Sequence, residues 1–191
     1  MNQPELMVQL QQGDELAFKK LVDQWQDMIY NTTLAMVHNE DDADDITQDV
    51  FIQVYQSVSS FKGDAKFSTW LYRIVISKVL DHIKKKKRKK RFAFVQSLFG
   101  TASEEVLHPV DFNHPGVVAE NKERAAELFK ALEQLPDSQR IAFTLHKLEA
   151  QKYQDVAAIM DLSLTAVESL IARAKGNLRK ILKQYYEENN F

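Results

Sequence analysis

Residues 61–91 combine aromatic and basic side chains in a way that suits binding to a nucleic acid strand. Phe67 and Trp70 offer ring faces on which bases can stack. Eight consecutive basic residues, Lys84 to Arg91, can neutralise phosphates. The alternative is a core helix followed by a solvated run of charge, because blocks of like charge are often disordered tails. These residues alone leave both interpretations open.

A long amphipathic helix is predicted to carry both groups. Its apolar residues recur at the i, i+3, i+4 spacing of a helix that faces a core, and they are Phe67, Trp70, Leu71, Ile74, Val75, Val79 and Ile83. A short polar loop with Gly63 and Asp64 precedes this pattern, and the basic run follows it. The helix is therefore expected to present a loop at one end and dense positive charge at the other.

The net charge of −2 conceals a strongly uneven distribution. Six acids crowd into ten positions: Glu40, Asp41, Asp42, Asp44, Asp45 and Asp49. Between Lys66 and Arg91 the only acid is Asp81. The N-terminal half is therefore strongly dipolar, and a partner responds to these local fields rather than to the total charge.

Composition excludes several functional classes. The 191 residues include no cysteine, so disulfides and thiolate metal sites are absent. No apolar run reaches the length of a membrane span, and the N-terminus lacks the pattern of a signal peptide, so we expect a cytoplasmic protein. There is no phosphate-cradling glycine loop and no nucleophile elbow, and the five histidines are dispersed. No enzymatic activity and no cofactor are therefore expected.

His108, Asp111 and His114 are the one set that could in principle hold a metal. They lie among prolines with no helical or hairpin spacing to aim them at a common point, so they are interpreted as ordinary loop residues.

The periodicity predicts an all-α chain of two small helical domains joined by a linker. Helices are expected over about 15–37, from a cap at Asp42 to Ser59-Ser60, and through the stretch beginning at Phe67. These make a three- to four-helix bundle in residues 1–91. Residues 92–120 lose all periodicity and form the linker. Residues 121–191 form the second domain, with Pro136 separating its first two helices.

A helix-turn-helix is predicted between Tyr153 and Leu182. Ala157 precedes the turn at Asp161 by four residues, and apolar residues Val167 and Leu170 follow it at six and nine. This is the spacing that lets two helices cross closely. Asp tolerates the left-handed conformation of the turn at some cost. Either Ser163 or Thr165, the latter with Glu168 three residues later, can cap the second helix.

The start of that second helix supplies candidate contacts to a DNA major groove, since this is where a helix-turn-helix places it. The candidates are Ser163, Thr165, Ala166, Glu168, Ser169, Arg173 and Lys175. An ordinary helical hairpin is the alternative.

Together the two halves resemble a bacterial RNA polymerase sigma factor. DADDITQDVFIQVYQSVSSF followed by FSTWLYRIVISKVLDHIKK is similar to the second conserved region of that family, and LPDSQRIAFTLHKLEAQKYQDVAAIMDLSLTAVESLIARAKGNLRK to the fourth. Two such regions with only a linker between them resemble the extracytoplasmic-function (ECF) group. The resemblance implies a protein that binds core RNA polymerase and directs promoter recognition and strand opening.

The resemblance also implies roles for individual residues. The residues that it implies in docking on the clamp helices of the polymerase β′ subunit are Asp45, Gln48, Asp49, Phe51, Ile52 and Tyr55. The residues that it implies in contact with the minus-ten element are Lys62, Lys66, Phe67, Ser68, Thr69, Trp70, Arg73 and Ser77. The residues that it implies in contact with phosphates of the upstream duplex are Lys84, Lys85, Lys87, Arg88 and Arg91. The helix from Ser163 would contact the minus-thirty-five element, and the second domain would touch the β flap.

One departure from the family concerns Ile76-Ser77, where Arg-Asn is frequent. Ile76 cannot hydrogen-bond a base edge, so the details of minus-ten recognition differ here. An anti-sigma factor is a further partner that the resemblance implies, and no membrane contact is expected.

Two rival functions remain from the residues. A stand-alone helix-turn-helix regulator leaves the acidic helix and FSTWLYRI without a role. A membrane-surface protein would use Lys84 to Arg91 on acidic lipid and would not need the second domain.

Overall fold

Residues 3–98 and 122–188 are described by a computed structural model, and their regular elements are all helical. The first domain, residues 3–98, contains α1 (Gln3–Gln11), α2 (Glu15–Val37), α3 (Glu40–Ser57) and α4 (Phe67–Leu98). The second domain, residues 122–188, contains α5 (Lys122–Glu133), α6 (Asp137–Phe143), α7 (Tyr153–Met160) and α8 (Leu164–Glu188). A 3₁₀ turn covers Val58–Ser60 and a π-helical turn covers Thr144–Leu148. The all-α prediction is confirmed.

Helix α2 has the bounds that its periodicity predicts. The Asp14 side chain caps it by accepting hydrogen bonds from the amides of Leu16 at 2.8 Å and Ala17 at 3.0 Å. It ends at His38, which adopts the left-handed conformation with a φ of 54°. Leu21 and Ile29 are fully buried on its inner face. Helix α1, which the sequence analysis did not predict, buries Leu6 and Leu10 against this bundle.

The cap of α3 differs from the prediction. Asn39, rather than Asp42, is the capping residue, and its side-chain oxygen accepts a hydrogen bond from the amide of Asp42 at 2.7 Å. The Asp42 carboxylate instead points to α4, where it binds Lys86. Asn is as good a helix cap as Asp, so freeing the carboxylate for an ion pair has no cost in capping.

Helix α4 continues beyond the predicted start of the linker. Residues 92–98 belong to the helix, so the basic run lies within it rather than after it. Lys and Arg are good helix formers, and neither Gly nor Pro interrupts the chain before Gly100. The rest of the predicted linker, residues 99–120, lies outside the described residues.

The second domain contains the predicted helix-turn-helix. Asp161 adopts the left-handed conformation between α7 and α8, with φ 54° and ψ 48°. Its amide donates to the carbonyl oxygen of Ala157 and closes the end of α7. Ser163 is the cap of α8, because its Oγ accepts a hydrogen bond from the amide of Ala166 at 3.2 Å. The Ser163 Oγ also lies 3.1 Å from the hydroxyl of Thr165.

The two domains pack against each other. Helix α4 lies against α7, and α2 lies against the π-helical turn. One continuous apolar core contains Leu71 and Val75 of the first domain and Ile141, Leu145 and Val156 of the second. A smaller cluster places Ala35 of α2 among second-domain residues such as Leu132 and Leu178. Their relative placement, which the sequence left open, is a closed one.

Candidate nucleic-acid and protein interfaces

The outward face of α3 combines acidic and apolar side chains. Asp45, Gln48 and Asp49 are exposed, as the periodicity predicts. Ile52 and Tyr55 lie further along the same face and remain 55% and 56% exposed. Large apolar groups rimmed by charge are typical of surfaces that bind another protein. The acidic rim favours a basic partner.

Phe51 differs from the other members of this predicted surface because it is half-buried. Its ring meets Phe18 of α2 edge-on with centroids 6.4 Å apart. Tyr55 also packs edge-on against Phe18, at 5.2 Å. Phe51 therefore supports the face from below, and Ile52 and Tyr55 are its accessible apolar groups.

The loop before α4 is braced by an aromatic cluster. The ring centroid of Phe61 lies 5.7 Å from that of Phe67 and 5.3 Å from that of Trp70. The ring centroid of Trp25 in α2 lies 5.9 Å from that of Phe67. Gly63 occupies the loop with a φ of 79°, a conformation that favours glycine. Lys62 and Lys66 are exposed beside it.

Two of the predicted minus-ten residues are buried. Phe67 and Thr69 are each only 6% exposed. In this conformation neither side chain is accessible to a DNA strand, and Phe67 serves as part of the aromatic brace. Trp70 is half-buried, Ser68 is half-buried, and Arg73 and Ser77 are exposed.

A groove of about 410 Å³ beside α4 brings together three of the predicted minus-ten residues, Trp70, Arg73 and Ser77. Trp70 contributes an aromatic wall, and Arg73 and Ser77 contribute hydrogen-bonding groups. The remaining lining residues are Gln53, Ser57, Ile74, Lys78 and Asp81. Stacking surface next to polar donors is what an unpaired base needs. Gln53 and Lys78 were not predicted as part of this site; Gln53 belongs to α3, so only packing reveals its place here.

The basic run forms an exposed helical surface. Lys84, Lys85, Lys87 and Arg88 are all exposed, whereas the side chain of Arg91 lies outside the described residues. Two of these cations already have acidic partners. Lys84 Nζ lies 3.7 Å from Asp81, and Lys87 Nζ lies 2.7 Å from Asp137 of the second domain.

Helix α8 presents its predicted DNA contacts to solvent. The exposed members are Ser163, Thr165, Glu168, Ser169, Arg173 and Lys175, and Ala166 is half-buried. Val167 and Ile171 anchor the opposite face in the core. Leu162 and Leu164, for which no role was predicted, flank Ser163 and are 40% and 39% exposed.

His108, Asp111 and His114, the residues considered as metal ligands, lie outside the described residues. Among the residues that are described, no group of His, Asp and Glu side chains has an arrangement suited to a metal ion. Over the same part of the chain, no helix combines the length and apolar character needed to cross a membrane.

Comparison with known proteins identifies both domains. The family model for sigma-70 region 2 matches residues 21–89, and that for sigma-70 region 4 matches residues 125–178. The RNA polymerase sigma-H factor of Pseudomonas aeruginosa is 31% identical over 96% of this chain and 95% of its own length. The ECF RNA polymerase sigma-E factor of Escherichia coli K12 is 31% identical over 89% and 88%.

Two solved structures share the fold. CnrH, in complex with the cytosolic domain of CnrY, superposes with a TM-score of 0.65 at 23% identity, covering 94% of this chain and 96% of that one. The sigma factor RpoE of Bartonella quintana, in complex with the anti-sigma factor NepR, gives 0.64 at 23%, covering 87% and 96%. The chain belongs to the ECF group of the sigma-70 family and directs transcription initiation. Sigma factors are initiation factors rather than catalysts.

Proposed function

We propose that the outward face of α3 docks on the clamp helices of the polymerase β′ subunit, with Ile52 and Tyr55 as apolar anchors and Asp45, Gln48 and Asp49 as the polar rim. The observation that carries this proposal is the exposure of two large apolar side chains within an acidic surface. Buried anchors supply most of the affinity of an interface, and charge steers the approach.

The proposed division of roles is residues 1–91 for core binding and minus-ten recognition and residues 121–191 for minus-thirty-five recognition. The linker predicted over 92–120 lies between them, and its first seven residues continue α4. The groove beside α4 accepts an unpaired promoter base against Trp70, with Arg73 and Ser77 as hydrogen-bonding partners. The exposed lysines and arginine of 84–88 contact phosphates of the upstream duplex, and the start of α8 enters the major groove of the minus-thirty-five element. The second domain also contacts the polymerase β flap.

An anti-sigma factor is a further proposed partner. Both of the related folds superposed above were solved with a bound protein, and NepR, the partner of RpoE, is an anti-sigma factor. A cytoplasmic location follows from these partners.

The test of core binding is gel filtration of the chain with bacterial core RNA polymerase. Wild type should co-elute, and Asp49→Arg should not, because the reversal places a cation against a basic partner. Glu133→Arg is the matched control, since it makes the same charge change at an exposed position of the second domain. Loss of co-elution in both variants, or in neither, contradicts the assignment of the α3 face. Failure of the wild type to co-elute with a cognate core contradicts the proposed function as a whole.

The minus-ten groove is tested separately in the polymerase complex with a fluorescent single-stranded DNA. Trp70→Ala should weaken binding by about 1 kcal/mol, the lower end for one stacked base, because the ring is half-buried. Trp70→Phe should retain most of the affinity because it keeps an aromatic face. Equal losses in the two variants would assign Trp70 to packing alone.

A further inference from the structure

Two leucines at the junction of α7 and α8 keep large apolar side chains in solvent. Leu162 is 40% exposed and Leu164 is 39% exposed, and Ser163 between them caps α8. A helix-turn-helix places this end of its second helix in the major groove of DNA. The position of each leucine in the local structure shows what it contributes there.

The turn itself accounts for Leu162. Its amide donates a hydrogen bond of 3.0 Å to the carbonyl oxygen of Ala157, and Asp161 before it is left-handed. These are the features of a Schellman motif, in which the residue after the left-handed one commonly makes an apolar contact with the helix that ends. Leu162 also precedes the cap of α8, where an apolar side chain often packs against the fourth residue of the helix, here Val167. Leu162 therefore has two structural roles.

Neither motif uses Leu164, the first residue of α8. The hydroxyls on both sides of it are engaged within the chain. Ser163 Oγ accepts a hydrogen bond of 3.2 Å from the amide of Ala166 and lies 3.1 Å from the hydroxyl of Thr165. The end of α8 that enters a groove thus presents a leucine between two hydroxyls that lie within hydrogen-bonding distance of each other.

The charge one turn later indicates which part of the DNA this edge of α8 meets. Glu168 is exposed and, four residues after Leu164, lies on the same side of the helix. Phosphate repels a carboxylate and offers no contact to an apolar side chain. Arg173, nine residues after Leu164, lies on the opposite side, and its guanidinium suits phosphate. The edge with Leu164 and Glu168 therefore suits base edges rather than the sugar-phosphate backbone.

The major groove offers a leucine one apolar partner. Only thymine carries a methyl group on its major-groove edge, and the other groups there are hydrogen-bond donors and acceptors. We propose that Leu164 contacts the 5-methyl group of a thymine in the minus-thirty-five element and thereby selects thymine at that position. The proposal rests on the proposed function, since it requires α8 to enter the major groove of that element.

The test begins with the DNA that the protein selects. The full-length chain, bound to core polymerase, selects duplexes from a promoter library that is randomised over the minus-thirty-five element. At least one position should be enriched for thymine on one strand. If no sequence is enriched in that element, the proposed function of α8 is contradicted. A defined element without thymine would overturn the role of Leu164 alone.

Each selected thymine is then replaced, one at a time, by deoxyuridine, which lacks only the methyl group. At one thymine the replacement should weaken binding of the wild-type complex at fixed salt by about fourfold, the affinity that corresponds to burying one methyl-sized group. Wild-type binding that every replacement leaves unchanged would overturn the proposal.

Leu164→Ala and Leu162→Ala are the matched pair, because they make the same change at two leucines of nearly equal exposure. Leu164→Ala should bind the thymine and deoxyuridine duplexes equally, whereas Leu162→Ala should keep the fourfold difference. Leu164→Met keeps a flexible apolar side chain and should keep most of that difference. A difference that survives in Leu164→Ala, or that disappears in Leu162→Ala as well, would contradict contact by Leu164.

Circular dichroism and co-elution with core polymerase check that each variant is folded and assembled. Alanine is the best helix former, so Leu164→Ala should be as helical as wild type. If its helicity falls, Leu164→Gln, which ends in a polar group, replaces it in the comparison. Loss of co-elution in Leu164→Ala but not in Leu162→Ala would assign Leu164 to a polymerase contact and overturn the DNA contact.

Discussion

Asp42 and Lys86 form an ion pair, with 2.6 Å between Oδ2 and Nζ, that joins the start of α3 to the basic run of α4. Nε2 of His82 lies 3.2 Å from the same oxygen. Burial alone would raise the pKa of Asp42, but the hydrogen bond from Lys86 and the charges of His82 and Lys86 outweigh it and hold the pKa below its usual value. The proposed polymerase-binding helix and the proposed phosphate-binding helix are thereby held in a defined relation.

Asp42→Asn should lower the free energy of unfolding by about 1 kcal/mol, since the pair is partly exposed and solvent weakens it. Asp41→Asn is the control: it changes the same charge in the same first turn of α3 without breaking a comparable pair. The lowered pKa means that Asp42 stabilises the fold above the ordinary Asp pKa of about 4 and loses this effect as the pH falls further. Urea unfolding at pH 7 and below pH 4 measures both effects, and equal losses in the two variants would contradict the pair.

Removal of the α3 cap should also destabilise the first domain. Asn39→Ala leaves the amide of Asp42 without its side-chain acceptor and should cost about 1 kcal/mol in urea unfolding. Asn39→Asp keeps an acceptor and should cost much less. An Asp variant as unstable as the Ala variant would show that the cap is not the stabilising contact.

Acid should weaken the packing around His38. Burial, and then the charge of Arg140, lowers the pKa of His38 from 6.5 to about 3. His38 also faces the ring of Phe129 in α5, with centroids 5.7 Å apart. The packed form therefore favours the neutral ring and has its full stability above pH 6.5. Below that it should lose about 1.4 kcal/mol per pH unit, until the lowered pKa is reached.

His38→Asn should remove this part of the pH dependence while keeping the left-handed conformation, which Asn tolerates. His146→Asn is the control for the same change elsewhere. Thermal unfolding from pH 7.5 to 5 is the measurement. A His38→Asn variant as acid-sensitive as wild type would assign the effect to other groups.

The exposed cations of α4 should govern the salt dependence of duplex binding. Changing Lys84 and Lys85 to Gln should reduce the slope of log K against log salt by about 1.8, because each lost phosphate contact removes about 0.9. Lys19 and Lys20, an exposed pair on α2, provide the control double variant. Titration of a nonspecific duplex at several salt concentrations measures the slope. Equal slopes for the two double variants would show that Lys84 and Lys85 do not contact duplex phosphates.

Local patterns were sufficient for most of the helices and for the helix-turn-helix. The bounds of α2 and the left-handed turn at Asp161 follow from periodicity and from the preferences of single residues, which depend on near neighbours in the chain. The exposure of Asp45 and Asp49 likewise follows from helical spacing. Helix α1 was missed because its burial depends on contacts with other helices. The cap of α3 was assigned to Asp42 although a local hydrogen bond places it at Asn39, because both residues are good caps and only the pairing with Lys86 shows that the Asp42 carboxylate is used elsewhere.

The amino-acid sequence by itself determined most of the helices, where positive and negative charge accumulate and which family the pattern resembles, because these are properties of short segments. Only the tertiary structure decided that Thr69 is buried, that Gln53 joins Trp70 at one groove and that Arg73 meets Ala158 across the domain interface. Those relations join residues far apart in the chain, and they arise because α4 buries apolar side chains against both domains at once.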